Sequence, residues 1–396
     1  MDSNENKLNA IARIEEAIQN INDNNFTIFF FTVDTKNVPN GSVAYIYQLA
    51  KTLQDKGYNV KMLYQLENAY TEGELYKLRK KDAPIDENRV FTGVGDWLGK
   101  EYAELPHMNI ASEQWTVSPS DFLYIPEVFS SLMSQTFKYK APCKRYVILQ
   151  NYNYVTEFIP FGTEWKNYGI YDVLANTETQ ANLIKSVFPY VRTKVLSPYI
   201  PEYFREPVEA KKLVINVVAK NKDHLNRIIK PFYWKYPIYK FVSFQDVRNF
   251  PREHVANLLK ESAITVWIDE ESPFGYSALE AIKCGNILIG VIPKLMPEWL
   301  ADENGDIKDC GLWTYDINQI PDMIAKAVGM WLQDAVPTVL TEGMNEIKSK
   351  YTYETWQLNA EETIKSIIDE HVNSLKEVKG NIKNNLEKEE DKTQEA

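Results

Sequence analysis

The residues best suited to chemistry lie together in one stretch, Asp269-Glu270-Glu271-Ser272-Pro273-Phe274-Gly275-Tyr276-Ser277-Ala278-Leu279-Glu280. It sits between two apolar runs, residues 264–268 and 287–292, each with the composition of a buried parallel strand. In open α/β sheets, ligands bind beside loops that leave the carboxyl ends of strands. Gly275 permits close approach of a ligand to the backbone. The first amides of a helix beginning near Ser277 form an anion site. The Glu280 carboxylate, in the first turn, can accept two sugar hydroxyls. A structural alternative stands beside this one. Ser277-x-x-Glu280 is also a capping box, with Ser277 as N-cap and Glu280 at N3. If capping is its whole role, Glu280→Ala costs about 0.5–2 kcal/mol of stability.

Such a loop needs a sheet to carry it. Residues 27–33 form a continuous apolar run, the mark of a buried strand. A loop with Pro39-Asn40-Gly41 follows. Residues 42–56 then read as a helix, with Ser42 as N-cap, Val43, Ile46, Leu49, Ala50 and Leu53 on one face, and Gly57 past its end. Residues 59–64 are the next strand. This strand–helix–strand unit implies a parallel sheet and a right-handed crossover. Further strands are expected at 122–125, 146–150, 173–175 and 194–196. Residues 197–212 carry Pro198, Pro201 and Pro207 without periodicity and mark a boundary. A second set of alternations runs from 213–218 through 240–244, 264–268 and 287–292, with helices near 255–260 and 278–284.

The expected organisation is therefore an amphipathic helix over 1–24, a first α/β unit over 25–198, a linker over 199–212 and a second unit over 213–350. A closing helix over 351–372 and a Lys/Glu/Asn-rich tail over 373–396 complete it. The tail is expected to be a solvated helix or mobile.

The chain has 396 residues, enough for two or three domains. Acidic residues number 55 against 44 basic ones, a formal charge of −11, which argues against a dedicated nucleic-acid binder. Cys143, Cys284 and Cys310 are odd in number and lack metal-ligand spacing, so a reducing compartment is the simpler reading. The first residues lack the apolar core of a signal peptide, and no apolar run approaches the ~20 residues that span a bilayer. A cytoplasmic protein is expected, with peripheral membrane contact left open. Gly93-Val94-Gly95-Asp96-Trp97-Leu98-Gly99 has its third glycine one position late for a dinucleotide loop. His107, His224, His254 and His371 show no paired spacing. Neither cofactor nor metal is expected.

The stretch from Phe274 to Gly285 resembles the C-domain signature of glycosyltransferase family 4, in which two glutamates eight positions apart frame a Phe-Gly pair. Asn40-Gly41-Ser42, with the following helix and Gly57-Tyr58-Asn59-Val60, resembles the N-domain Gly-rich loop and next strand. Tyr171–Thr177 resembles the last N-domain strand, and Asn304-Gly305 with Gly311-Leu312 the loop after the signature. The resemblance covers most of residues 25–370. It implies an α/β protein of GT-B fold: two Rossmann-like, doubly wound parallel-sheet domains facing a central cleft.

It also implies transfer of a sugar from a nucleotide-diphosphate sugar held by the second domain, 213–350, to an acceptor hydroxyl held by the first, 25–198, with retention and without a metal. Glu280 would bind the ribose, with Phe274, Gly275, Tyr276 and Ser277 around the donor. Lys220, Lys222 or Arg227 would meet the diphosphate. The first glutamate position holds Ser272, with Glu271 one residue earlier, so both are catalytic candidates. Asn40, Gly41, Ser42 and Asn151 would form an acceptor or phosphate loop. Leu149-Gln150-Asn151-Tyr152-Asn153-Tyr154 resembles a subgroup with Gln-Asp-Tyr-Glu, with Asn in place of both acids. A glycan, lipid-linked glycan, protein or modified nucleic acid remains open as acceptor. The alternative is a catalytically weak GT-B-like protein that binds nucleotide sugars or glycans, or serves as an interaction scaffold.

Overall fold

Parallel strands of almost purely apolar sequence need helices on both faces, and the chain supplies them twice. A computed structural model of the protein describes residues 3–219, 221–248, 250–302 and 304–394. The first seven strands are β1 (Thr27–Phe31), β2 (Asn59–Tyr64), β3 (His107–Asn109), β4 (Phe122–Pro126), β5 (Lys144–Leu149), β6 (Asp172–Ala175) and β7 (Arg192–Val195). They form one parallel sheet in the order β3-β2-β1-β4-β5-β6-β7. The remaining strands are β8 (Lys212–Ala219), β9 (Ser243–Asp246), β10 (Ser262–Ile268), β11 (Ile287–Val291) and β12 (Leu312–Thr314). They form a second parallel sheet, β12-β11-β10-β8-β9. Strand order reverses between β1 and β4 in the first sheet and between β8 and β10 in the second. A crevice opens at each reversal, beyond the carboxyl ends of the strands.

The cores follow from these faces. Phe30 of β1 stacks on Tyr124 of β4, which stacks on Tyr146 of β5, with centroid separations of 4.9 and 5.3 Å. This aromatic ladder lies under the helix Gly41–Asp55, whose Tyr45, Tyr47, Leu49 and Leu53 are fully buried. In the second sheet, Ile264, Val266 and Ile268 of β10 pack with Ile215 and Val217 of β8.

Two expectations are corrected here. Asn40, not Ser42, caps the helix Gly41–Asp55. Its Oδ1 accepts from the amides of Ser42 at 2.9 Å and Val43 at 3.1 Å. The basic stretch after β8 opens the helix Lys222–Lys235, capped by Asn221. The charged tail is helical, one of the two readings, but it is neither mobile nor separate from the closing helix. One helix runs from Tyr353 to Gln394 and packs beside the helix Ser3–Asn22. Leu386 is buried, and Lys379 pairs with Glu15 at 3.3 Å, so the amphipathic N-terminal helix supplies the partner that holds the tail.

This last helix also returns the chain to the first domain. Trp356, Ala360, Ile364 and Ile367 belong to the core of the first sheet. Trp356 Nε1 donates to Thr52 Oγ1 at 2.8 Å, and His371 bonds the Pro119 carbonyl at 2.8 Å. Trp356→Ala should therefore lower stability by about 3–5 kcal/mol, the usual loss for a deleted core aromatic. Urea denaturation should show the effect in the first domain's transition, although residue 356 follows the second domain in sequence.

Candidate functional site

The carboxyl edges of the two sheets border one cleft, which contains adjoining cavities of about 430 and 480 Å³. The first lies between the domains. Thr32 and Val33 beyond β1, Glu127 beyond β4, Asn151 beyond β5, Asn176 beyond β6 and Asp269 beyond β10 line it. The second lies against the second sheet. Ala219 at the end of β8, Arg248 beyond β9, and Arg252, Asp269, Ser277 and Glu280 line that one. Asn40, Gly41 and Tyr276 border both.

Asn40 orients its loop by capping the following helix, and Gly41 brings that loop against the other domain. A Cβ on Gly41 would lie 3.2 Å from Cδ2 of Tyr276. Asn151 caps the helix Tyr152–Phe158, and its Nδ2 donates across the cleft to the Glu271 carbonyl at 3.4 Å. On the other side of the domain boundary, Glu298 accepts from the Glu178 amide at 2.8 Å and from Ser197 Oγ at 3.1 Å.

The signature loop has its own logic. Gly275 adopts φ 77° and ψ 47°, the left-handed region, and is the N-cap of the helix Tyr276–Lys283. A Cβ there would also sit 3.1 Å from Trp267 and 3.2 Å from Trp299. Trp299 Nε1 donates to the Phe274 carbonyl at 2.6 Å, and Ser272 Oγ accepts from the Gly275 amide at 3.0 Å. Ser272 thus holds the turn that aims the helix. No side chain caps this helix, so Ser277 is not the N-cap and the capping-box reading of Glu280 is overturned.

Glu280 instead turns inward to Arg252, with its Oε1 bonded to Arg252 Nη2. Both side chains are about nine-tenths buried. Burial pushes the Glu280 carboxyl up, and the guanidinium pulls against it. Burial alone would weaken the Arg252 charge, but Glu280 more than offsets that, and its pKa rises. The guanidinium lies 5.6 Å from the ring centroids of both Phe204 and Tyr276. Arg252 Nη1 and the Tyr276 hydroxyl are buried without hydrogen-bond partners among the described residues. Buried polar groups are rarely left so, and both residues line the second cavity. The wall therefore contains two unsatisfied polar atoms, both buried just behind its surface.

The anticipated cations fare differently. Lys220 lies outside the described residues. Lys222 opens the helix that follows β8. Arg227 is exposed farther along that helix and borders neither cavity. Arg248 and Arg252, which sequence reasoning missed, occupy the cavity wall. Arg248 Nη1 donates to the Ala219 carbonyl at 2.7 Å, and its Nε to Asp246 at 2.8 Å, which fixes it at the end of β8. The carboxylates also differ from expectation. The Glu271 side chain is exposed and its backbone alone takes part, the carbonyl accepting from Asn151 and the amide donating to Asp269 Oδ1 at 3.4 Å, whereas Asp269, three positions before Ser272, borders both cavities.

Glu127 is the second acid missed. It is buried at the edge of the first cavity, and its Oε1 accepts from the amides of Asn151 at 2.8 Å and Gln150 at 3.3 Å. Burial pushes its carboxyl up to about 7, against the pull of those amides. Its only sequence signal was an acid directly after an apolar strand.

No protein-family model matches the chain. An α-1,6-glucosyltransferase of Actinobacillus pleuropneumoniae serotype 7 (strain AP76) is 27% identical over 195 residues, covering 46% of this chain. The match spans 56% of that relative's length. A sucrose-phosphate synthase from Thermosynechococcus elongatus superposes with a TM-score of 0.55 at 13% identity, covering 87% of this chain and 99% of that one. The pneumococcal O-GlcNAc transferase GtfA, in complex with UDP and GlcNAc, gives 0.57 at 10% identity, covering 88% and 99%. Anabaena HepE, in complex with UDP-glucose, gives 0.54 at 12% identity, covering 86% and 99%. Shared along nearly the whole of those chains, the architecture is GT-B: two parallel-sheet domains with their carboxyl edges on a common cleft.

Glu127 makes stability depend on pH in a defined direction. Its folded pKa lies above the ordinary carboxylate value of 4.5, so the folded state binds its proton more tightly. That contribution is complete below about pH 4.5 and is lost as pH rises through 7. Glu127→Gln should therefore gain stability relative to the parent between pH 5 and pH 8. Paired urea melts across that range check the sign. A constant difference would mean that Glu127 ionises as freely when folded as when unfolded.

Proposed function

We propose that the chain is a glycosyltransferase resembling family 4. It would move a hexose from a nucleotide-diphosphate sugar to an acceptor hydroxyl, with retention and without a metal ion. The observation that carries the proposal is the Arg252–Glu280 pair on the wall of the second cavity, with Arg252 Nη1 and the Tyr276 hydroxyl unpartnered beside it. The donor's ribose and diphosphate occupy that cavity. Glu280 accepts from the ribose hydroxyls, and Arg252 donates through its unused nitrogen. Arg248 and the first amides of the helix Tyr276–Lys283 face the diphosphate charge, with Lys222 at the neighbouring helix start. Positive groups fixed in this way stabilise a leaving diphosphate without a metal.

The sugar then lies in the first cavity, between Asp269 and the Asn40-Gly41 turn. The anomeric C–O bond breaks and its electron pair leaves with the β-phosphate. The acceptor oxygen bonds to the anomeric carbon on the same face, and its proton passes to the departing phosphate oxygen. Glu127, beside that cavity, holds the Gln150–Asn151 turn in place through its two amide bonds. Tyr276 beside Gly41, and Asn151 reaching the Glu271 carbonyl, link the two walls, and further closure on the substrates would exclude water.

Support for UDP as the nucleotide comes from GtfA and HepE, whose structures hold UDP or a UDP-sugar. Support for glucose comes from the named activity of the Actinobacillus relative. UDP-glucose is therefore the first donor to test, in a thermal-shift panel with UDP-GlcNAc and GDP-, ADP- and dTDP-sugars, with and without EDTA. UDP-glucose should raise the melting temperature equally in both conditions. Glu280→Gln keeps the volume and a hydrogen bond to Arg252 while removing the charge. It should fold and lose roughly 10-fold or more in donor affinity, the scale of a charge-assisted hydrogen bond. Glu280→Ala is the poorer probe, because it also removes the hydrogen bond and leaves a cavity beside the buried Arg252, where breaking such a pair costs about 3–5 kcal/mol. Unchanged donor affinity in Glu280→Gln would overturn the ribose assignment, and a shift abolished by EDTA would overturn metal independence.

A further inference from the structure

A third cavity, of about 470 Å³, opens on the first domain. It shares Thr32, Val33 and Phe129 with the cavity between the domains, so a ligand can extend from one into the other. Its size suits a pair of sugar rings or a similar small molecule. Its lining differs in kind from the donor side. Tyr64 at the end of β2 and Phe91 stack at 3.8 Å with ring planes 12° apart, forming a rigid two-ring wall. Phe129, held edge-on by Phe31 at 4.7 Å, adds a third ring. The polar lining includes Thr32, Gln65, Ser131, Asp34 and Glu67, with no lysine or arginine among the described lining residues.

The wall is built rather than incidental. Asp34 accepts from the Thr92 hydroxyl at 2.6 Å, the Thr92 amide at 3.1 Å and the Gly93 amide at 3.2 Å. Lys36 pairs with it at 2.9 Å. Those bonds hold the chain immediately after Phe91, and Thr35 Oγ1 donates to the Gly93 carbonyl at 3.0 Å. Asp34 is thus spent on fixing Phe91, whereas Glu67 and Gln65 are exposed at the rim.

We infer that this cavity is the acceptor subsite and takes an uncharged carbohydrate. The inference rests on the glycosyltransferase reading. A sugar ring offers an apolar C–H face to an aromatic ring and hydroxyls at its edge to carboxylate and amide groups. Asp34 is already paired with Lys36, so the Glu67 carboxylate at the rim is the group that repels phosphate and favours a neutral ligand. A glycan on the Tyr64–Phe91 wall would extend its terminal hydroxyl past Thr32 and Val33 toward the sugar of the donor. Among the acceptor classes that the sequence left open, the lining favours the glycan over a phosphate-rich lipid-linked glycan or nucleic acid.

Saturation-transfer NMR on the full-length protein tests this directly, with isomaltotriose, maltotriose, cellotriose and chitotriose as neutral probes and glucose 6-phosphate and glycerol 3-phosphate as charged ones. At least one neutral trisaccharide should bind saturably, more tightly than either phosphate. Phe91→Ala should weaken that binding tenfold or more, and the surface change Glu67→Gln severalfold. Neither should alter the thermal shift given by UDP-glucose, which also confirms that both variants fold. No saturable trisaccharide, tighter binding of a phosphate, or binding indifferent to both substitutions would overturn the inference. Loss of the donor shift in the parent protein would instead count against the glycosyltransferase reading, so the two failures are distinguishable.

Discussion

Every strand in both sheets runs parallel to its neighbours, and that single constraint governs where chemistry is possible. Parallel strands return through crossovers, so helices cover both faces and the loops gather at the two ends. The interiors of the sheets are spent on packing, as in the Phe30–Tyr124–Tyr146 ladder. Polar residues with freedom to act must lie at the carboxyl edges. Setting two such edges across one cleft brings Glu127 and Asn151 from one sheet within reach of Asp269, Arg252 and Glu280 from the other. Neither domain contains that set by itself.

Contacts between the edges explain why the signature loop has its composition. Gly275 must be glycine on two independent counts, its left-handed backbone and the indole rings of Trp267 and Trp299 beside it. Ser272 braces the turn through the Gly275 amide, and Trp299 clasps the Phe274 carbonyl. The loop is rigid before any ligand arrives, so the helix Tyr276–Lys283 and its Glu280 are pre-aimed. The desolvation of Glu280 is then partly offset by one partner, Arg252, and the two rings around the guanidinium shield the pair from water.

Sequence periodicity reveals the backbone well and the polar site poorly, for a physical reason. The strand 27–33, the helix after Gly41 and the alternation through 213–292 are written in apolar spacing, which local burial dictates. Gly275 and Glu280 were legible because a dense motif surrounds them. Arg252 and Glu280 are 28 residues apart, and nothing local to Arg252 announces the pairing. Asp269 was passed over because Glu271 stands nearer to the family's position, yet β10 ends so that Asp269 meets the cleft and Glu271 faces solvent. Glu127 shows the same limit: its meaning depends on the amides of residues 150 and 151, which a separate strand delivers. The C-terminal helix was extended past its expected end because its partner is the first helix of the chain, at the greatest possible sequence distance.

The path of the chain imposes an order on its own making. The core under the first sheet includes Trp356, Ile364 and Ile367, while the second domain is spelled out between residues 212 and 351. The two crossing segments are joined by a bond from the Ile200 amide to the Tyr351 carbonyl at 3.1 Å. In topological terms the second domain is an insertion within the first. During vectorial synthesis the second domain can finish folding while the first still lacks a wall of its core. The half of the protein that is translated first is completed last, and until then the surface over Tyr45 and Thr52 lacks the cover that Trp356 provides.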